Sequence, residues 1–271
     1  MHLGSQPAVM LPGAVEPVAV VLALLLSAYL KESSGASDEE AVLLRLITPV
    51  VKLYTGKMCV PLISEAMECF GGQGYIEDTG IPAALRDAQV TPIWEGTTNV
   101  LSLDVLRVFA GKQNVYGLFE KRINSLLPAK DATELAEPIA ARLRTKITKK
   151  SFDVVSDATE LAEPIAAVRK AIADLGSILL KAAKAPNDSV HVDACARQIA
   201  FGIARIWAGA LLIRHASDHD ATKSDVDVAY RWCCEQPLVD LKIDWLSSDR
   251  VQLDRDIVFQ NFSEKSGNSK L

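Results

Sequence analysis

The chain has 271 residues, 49% of them hydrophobic, and a formal net charge of −5 at pH 7. This length accommodates one large domain or two ordinary ones, and the apolar share is enough for a sizeable core. Nucleic acid is disfavoured as the main partner, because its binding relies on clustered Lys and Arg and no long basic run is present.

The first thirty residues suggest a leader followed by a buried helix. Residues 1–13, with Gly and Pro, are predicted to be a disordered leader. The apolar run at 18–30 is shorter than the roughly twenty residues that cross a bilayer. No positive charge precedes it, so a buried bundle helix is favoured over a secretory signal core. No membrane span is predicted.

The cysteines indicate the compartment. The sequence contains 5 of them, an odd number, and their spacings fit no zinc pattern. Reduced thiols in an intracellular protein, cytoplasmic or mitochondrial and not secreted, are therefore expected.

A long helix is predicted from residue 38 to residue 70. Ser37 and Glu40 fit a capping box at its start, and Gly71 and Gly72 are expected to end it. Two internal prolines, at 49 and 61, should kink it.

The remaining sequence also reads as helical. No convincing strand pattern occurs, so the predicted fold class is all-α. Helices are predicted at 98–110, 115–127, 165–184, 190–215 and 223–235, with a last short helix within 238–262.

An internal duplication interrupts this series. Residues 131–141 recur letter for letter as residues 157–167. Repeat architectures need about three or more stacked units. Two copies therefore indicate a local duplication.

The segment from 66 to 99 is different in character, because it concentrates glycines around one carboxylate. Glycines at 71, 72 and 74 allow close backbone approach to a ligand. Glu95 lies between Trp94 and Gly96, just before a predicted helix start. A carboxylate beside an indole and away from bulk water has a raised pKa, which suits a general base. Taken alone, the glutamate would instead be explained by the helix dipole.

These segments, in this order, resemble the C-terminal helical domain of acyl-CoA dehydrogenases. The resemblance is strongest to the branch of the adaptive-response alkylation protein and its animal relatives. It is carried by residues 67–75, 86–87, 94–99 and 103–107. The implied architecture is a helical bundle at 14–112, followed by a second helical region at 113–271. The N-terminal helical domain and the β-barrel that usually precede this bundle are expected to be absent.

The resemblance implies the chemistry. Glu95 would take the α-proton of an acyl-CoA thioester while the β-hydride passes to FAD. The turn that contains Gly71, Gly72 and Gly74 would cradle the ADP half of FAD from a neighbouring subunit, so a homo-oligomer is expected. Implied cofactor-binding residues are Glu68, Gly71, Gly72, Thr97 and Asn99, and implied substrate-binding residues are Trp94 and Gly96. Many family members carry Gln at the position of Glu68.

Two functions stay open from the sequence. The first is an FAD-dependent acyl-CoA dehydrogenase, present as a truncated chain or fragment. The alternative is a non-enzymatic helical module that joins family oligomers or binds a partner. Arg86 is expected to brace its loop by pairing with a carboxylate.

Outside this segment, His215 and His219 lie one helical turn apart, a spacing that can bind a metal. Solvated histidines at a helix C-terminus are favoured instead, since the metalloprotease pattern is missing. The vicinal thiols Cys233 and Cys234 should face different sides of their helix, in the core or at its boundary.

Overall fold

The computed structural model describes residues 37–128, 160–184, 189–241 and 247–259. Within these ranges every regular element is helical and no strand occurs, which confirms the all-α prediction. The helices are α1 (Asp38–Cys69), α2 (Gly72–Tyr75), α3 (Ile81–Val90), α4 (Thr98–Phe109), α5 (Val115–Leu126), α6 (Ala162–Lys184), α7 (Ser189–Ala194), α8 (Ala196–Ala216), α9 (Lys223–Tyr230) and α10 (Ser248–Phe259).

Several sequence predictions lie outside the described residues. They concern the leader at 1–13, the apolar run at 18–30 and the first copy of the duplicated segment, at 131–141. The second copy is described only from residue 160 onwards, where it enters α6.

Helix α1 follows its predicted bounds closely. The Ser37 hydroxyl accepts a hydrogen bond from the Glu40 amide at 3.4 Å, and the helix continues through both prolines to Cys69. It is about 48 Å long at roughly 1.5 Å per residue. The proline kinks stay a prediction.

Helix α8 forms the centre of the bundle. It packs against α1, α4, α5, α6 and α9. Its small residues permit close approach: a Cβ added at Gly209 would lie 3.0 Å from Cys233 Sγ. Aromatic contacts add to this packing, with Tyr54 of α1 edge-on to Phe201 at 5.3 Å and Phe119 of α5 at 5.9 Å from Trp207.

One hydrophobic core joins the two predicted regions. Leu46 and Val105 come from the first region, and Phe119, Leu175 and Trp207 from the second, and all five are fully buried in the same cluster. The helices of both regions therefore pack around a shared interior. The predicted boundary near residue 112 stays a prediction.

Two predicted helices differ from the structure. The one at 190–215 is broken at Cys195, whose amide bonds to the Val192 carbonyl and tightens the turn. The one at 223–235 is α-helical only to Tyr230 and continues as a π-helical turn, Arg231–Glu235. Packing against α8 accompanies this change, because the Trp232 indole donates to the Arg205 carbonyl at 3.1 Å.

Two described helices are long and apolar enough to cross a membrane, α1 and α8. The apolar stretch of α8 is 72% buried and that of α1 is 44% buried. Core helices of soluble proteins have the same length and composition, so this is weak support for a membrane span.

Helix α2 folds back against the end of α1. A Cβ at Gly74 would lie 2.0 Å from the carbonyl oxygen of Met67, whereas a Cβ at Gly72 would meet nothing within 4 Å. Close packing therefore requires glycine at 74 but not at 72.

The core predicts a large loss of stability for Phe119→Ala. Removing this fully buried ring should lower the free energy of unfolding by about 3–5 kcal/mol, measured by urea denaturation. The control is Leu180→Ala on α6, where the side chain is 62% exposed and the change should stay within about 0.5 kcal/mol. Equal effects would contradict the assigned core.

The turn after α1 predicts a contrast between two neighbouring glycines. Gly74→Ala should lower the free energy of unfolding by about 1–3 kcal/mol, because the new methyl group meets the Met67 backbone. Gly72→Ala, in open space, should be close to neutral. Thermal and urea denaturation of the two variants provide the comparison, and a neutral Gly74→Ala would refute the close approach.

Candidate functional site

The candidate residues occupy two turns that follow α1. The glycine turn, residues 71–72, comes directly after it. The Glu95 turn, residues 91–97, connects α3 to α4. Both α3 and α4 pack against α1. The long helix therefore supports both turns.

The glycine turn has a backbone that suits glycine. Gly71 has φ +57, and neither Gly71 nor Gly72 would place a Cβ against another atom within 4 Å. Glu68, one turn earlier on α1, is also exposed. This stretch of backbone is thus open to an approaching molecule.

The loop predicted around Arg86 is wrong, because Arg86 and Asp87 are helical. They lie inside helix α3, which starts after Gly80 with Pro82 in its first turn. The Arg86 guanidinium donates to both carboxylate oxygens of Glu77, each at 2.9 Å. This pairing confirms that Arg86 braces the segment.

The backbone of Glu95 is unusual. Its φ is +54, and it is the one residue other than glycine with a positive φ in the described part of the chain. Such a conformation costs about 1–2 kcal/mol for an L-residue with a Cβ. Gly96 follows with φ +107 and packs against Leu101, where a Cβ would be 3.1 Å away. Strain of this kind clusters at functional sites.

The expected shielding of Glu95 is wrong for the described structure. The Glu95 side chain is exposed, and the neighbouring Trp94 is 55% exposed. The reason is geometric: α1, α3 and α4 support the turn from one side only, and no described element covers the other. The expected desolvation by the indole is therefore not provided by these residues.

The other predicted residues of this turn share the exposed side. Thr97 is the N-cap of α4, which starts at Thr98 as predicted, and both Thr97 and Asn99 are exposed. Thr98 itself is buried, and its carbonyl accepts a hydrogen bond from Ser102. The structure thus brings residues 94–97 and Asn99 together on one surface.

Lys52 also belongs to this site, although no sequence motif indicated it. Its ammonium donates to the carbonyl oxygens of Trp94 and Gly96, at 2.6 Å each. These two carbonyls lie on either side of Glu95. A possible signal was a lysine flanked by buried residues, Val51 and Leu53, in an apolar stretch of α1.

Lys52 lies on the face of α1 that packs along the Glu95 turn and its flanking helices. Arg45, Lys52 and Gly56 are spaced i, i+7 and i+11, which places them on one side of a helix with about 3.6 residues per turn. Gly56 lets the Thr91 backbone approach, since a Cβ would lie 3.1 Å from its carbonyl oxygen. Arg45 donates to both carboxylate oxygens of Asp104 on α4, at 2.8 Å.

The Arg45–Asp104 pair links α1 to α4. The hydrogen bond from Arg45 holds the pKa of Asp104 below its usual range, and the same bond raises the pKa of Arg45. Both groups therefore stay charged, and the pair aligns α4 behind the Glu95 turn.

The remaining candidate groups lie elsewhere. His215 and His219 are exposed and lie near single carboxylates, Asp225 at 3.4 Å and Asp220 at 3.1 Å. In the described ranges no group of three or more His, Cys, Asp or Glu could hold a metal ion.

All five cysteines lie within the described residues, and none of them is in a disulfide there. Cys233 is buried and Cys234 is half-buried, which confirms that the two face different environments. Burial raises the pKa of Cys233 and of Cys195, so both are protonated core thiols.

Family models match most of the chain in two pieces. Residues 18–109 match the acyl-CoA dehydrogenase C-terminal domain. Residues 143–259 match the model described as "Acyl-CoA dehydrogenase 11 C-terminal domain-like". The first match contains both candidate turns.

Individual relatives agree with these models. Acyl-CoA dehydrogenase family member 11 of Caenorhabditis elegans is 53% identical over 241 residues, which cover 88% of this chain and 35% of that protein. The putative acyl-CoA dehydrogenase AidB of Escherichia coli is 42% identical over 86 residues, 32% of this chain and 16% of the relative.

The structural comparison gives the same assignment. The crystal structure of Caenorhabditis elegans ACDH-11 in complex with C11-CoA has a TM-score of 0.76 and 49% identity, and the match covers 92% of this chain and 39% of that one. This chain therefore spans well under half the length of these relatives. Its helical fold, its ordered motifs and these matches show that the chain belongs to the acyl-CoA dehydrogenase family and carries the C-terminal domain of that family.

Proposed function

We propose that this chain provides the catalytic base of an FAD-dependent acyl-CoA dehydrogenase. The observation that carries the proposal is Glu95, the carboxylate held at φ +54 in an exposed turn between two helices. A side chain kept in a costly backbone conformation, at the position where the family motif has its glutamate, supports a functional role.

The proposed reaction removes two hydrogens from an acyl-CoA thioester. The Glu95 carboxylate accepts the proton from the α-carbon, and the α–β bond becomes a double bond as the β-hydrogen leaves as hydride. FAD, when bound, would supply the hydride acceptor. The role of Glu95 is that of a general base placed by its turn.

The glycine turn is compatible with binding part of FAD. Gly71 and Gly72 face open space, so a flat or charged group can approach their backbone without meeting a side chain. Thr97 and Asn99 are exposed and provide a hydroxyl and an amide. Glu68 would add a carboxylate near the same surface.

An acyl-CoA is the proposed substrate class. The similar ACDH-11 was crystallised with C11-CoA. In this chain, the exposed ring of Trp94 and the small Gly96 border Glu95 and leave room for a thioester. The acyl chain would be enclosed by parts of the protein beyond the described residues or by another subunit.

Assembly into a homo-oligomer is part of the proposal. Large apolar side chains are exposed around the two candidate turns, and their burial would favour association. They are Phe70, Tyr75, Ile76, Val90, Ile93, Trp94 and Val100.

The same surface also favours the alternative function. A helical module without catalysis would use these apolar residues to join oligomers of related chains. The two functions predict different behaviour towards FAD. The enzyme binds FAD, and the bound flavin is reduced by an acyl-CoA. The module stays colourless and only associates.

Glu95→Gln provides the direct test. The variant should still bind FAD but should lose bleaching of the flavin absorbance by C11-CoA by about a hundredfold or more, because the amide cannot accept the α-proton. Anaerobic stopped-flow absorbance on the full chain supplied with FAD measures this rate.

Glu65→Gln, which changes an exposed carboxylate elsewhere on α1, is the matched control and should react like wild type. Flavin reduction at the wild-type rate in Glu95→Gln would show that Glu95 is not the base. A wild-type chain that neither binds FAD nor responds to C11-CoA would support the helical module.

A further inference from the structure

We propose that Lys52 is a positioning residue that sets the orientation of Glu95. The proposal rests on the proposed function, because it takes Glu95 to be the base. Its structural part concerns one ammonium group and two backbone carbonyls.

Lys52 forms hydrogen bonds to the backbone on both sides of Glu95. Lys52 Nζ lies 2.6 Å from the carbonyl oxygen of Trp94 and 2.6 Å from that of Gly96. The first carbonyl belongs to the peptide unit that precedes Glu95, and the second lies just beyond it. Holding both carbonyls restrains the backbone on each side of Glu95, and so restrains the direction of its side chain.

The backbone conformation of Glu95 is strained, and the hydrogen bonds from Lys52 stabilise it. Glu95 and Gly96 have consecutive positive φ values, +54 and +107. Only Gly96 adopts such a value without steric cost. Two charge-assisted hydrogen bonds from one lysine offset the cost at Glu95. Without them, the residue is expected to relax towards negative φ and its carboxylate would turn away.

Lys52 itself is anchored in a rigid helix. Its neighbours Val51 and Leu53 are buried, and Tyr54 packs edge-on against Phe201 of α8 at 5.3 Å. The ammonium therefore extends from the core of the bundle towards a turn at its surface. A helix packed in the core thus restrains, through Lys52, the surface turn that carries the Glu95 carboxylate.

The competing explanation is that Lys52 only holds the helices together. The Arg45–Asp104 pair and the Gly56–Thr91 contact already join α1 to the elements on each side of the turn. The helices are thus held together without Lys52. The hydrogen bonds from Lys52 reach only residues 94–96, so their loss should have a local effect.

The first measurement is cleavage by a glutamate-specific protease, which needs no cofactor. In Lys52→Met, cleavage after Glu95 should be about tenfold faster or more, because loss of charge-assisted hydrogen bonds raises the population of open turns. Cleavage after Glu77, in the segment braced by Arg86, is the internal reference and should not change. Methionine retains the length and helix preference of lysine, so the variant should fold.

The second measurement is flavin reduction by C11-CoA with the full chain and added FAD. Lys52→Met should lower the maximal rate roughly ten- to hundredfold, since misplacing a catalytic group by about 1 Å has effects of this size. The half-saturating concentration of C11-CoA should stay nearly constant. A merely structural loss would instead lower the urea midpoint and FAD binding together.

Two further variants complete the design. Lys52→Arg keeps a charged side chain with several N–H donors, enough to reach two carbonyls, and should restore most of the protection and of the rate. Lys57→Met, at an exposed lysine on the same helix, should match wild type in both measurements.

The outcomes separate this proposal from the proposed function. Unchanged cleavage after Glu95 in Lys52→Met overturns the role of Lys52, whatever the activity of the wild type. Faster cleavage with an unchanged rate of flavin reduction also overturns it. Faster cleavage in a chain whose wild type reduces no flavin contradicts the proposed function, but supports Lys52 as the residue that sets the Glu95 turn.

Discussion

Close packing around helix α8 is the constraint on which the rest of the structure depends. This helix is buried along most of its length and touches helices from both halves of the chain. Its glycines allow this: Gly209 lies against Cys233, and Gly202 lies against Val239. Since interiors are packed as densely as crystals, a larger side chain at either position would displace a neighbouring segment.

That core in turn fixes α1, and α1 fixes the candidate site. Tyr54 holds α1 against α8, while one face of α1 contacts α3, the Glu95 turn and α4. The contacts on this face differ in kind. Arg45 forms an ion pair, Lys52 donates hydrogen bonds to backbone carbonyls, and Gly56 allows another backbone segment to approach closely. A surface turn thereby acquires a defined backbone although its outer side is uncovered.

The candidate site is open on its outer side in the part of the chain that the structure describes. Only one wall of the proposed active site is built by the described residues, and Trp94 and Ile93 lie open beside Glu95. The chemistry of proton removal needs a dry slot, which a second wall would create.

The sequence by itself determined the local features. It gave the helical class, the start of α1 at Ser37, the glycines that end it, the start of α4 at Thr98 and the bracing role of Arg86, because each depends on residues within a few positions. It missed the helix Ile81–Val90 and the break at Cys195. Only the tertiary structure decided the positive φ of Glu95, its exposure, the shared core and the contact with Lys52. The reason is separation: Lys52 meets carbonyls 42 and 44 residues away, and such contacts depend on how helices pack and not on local preference.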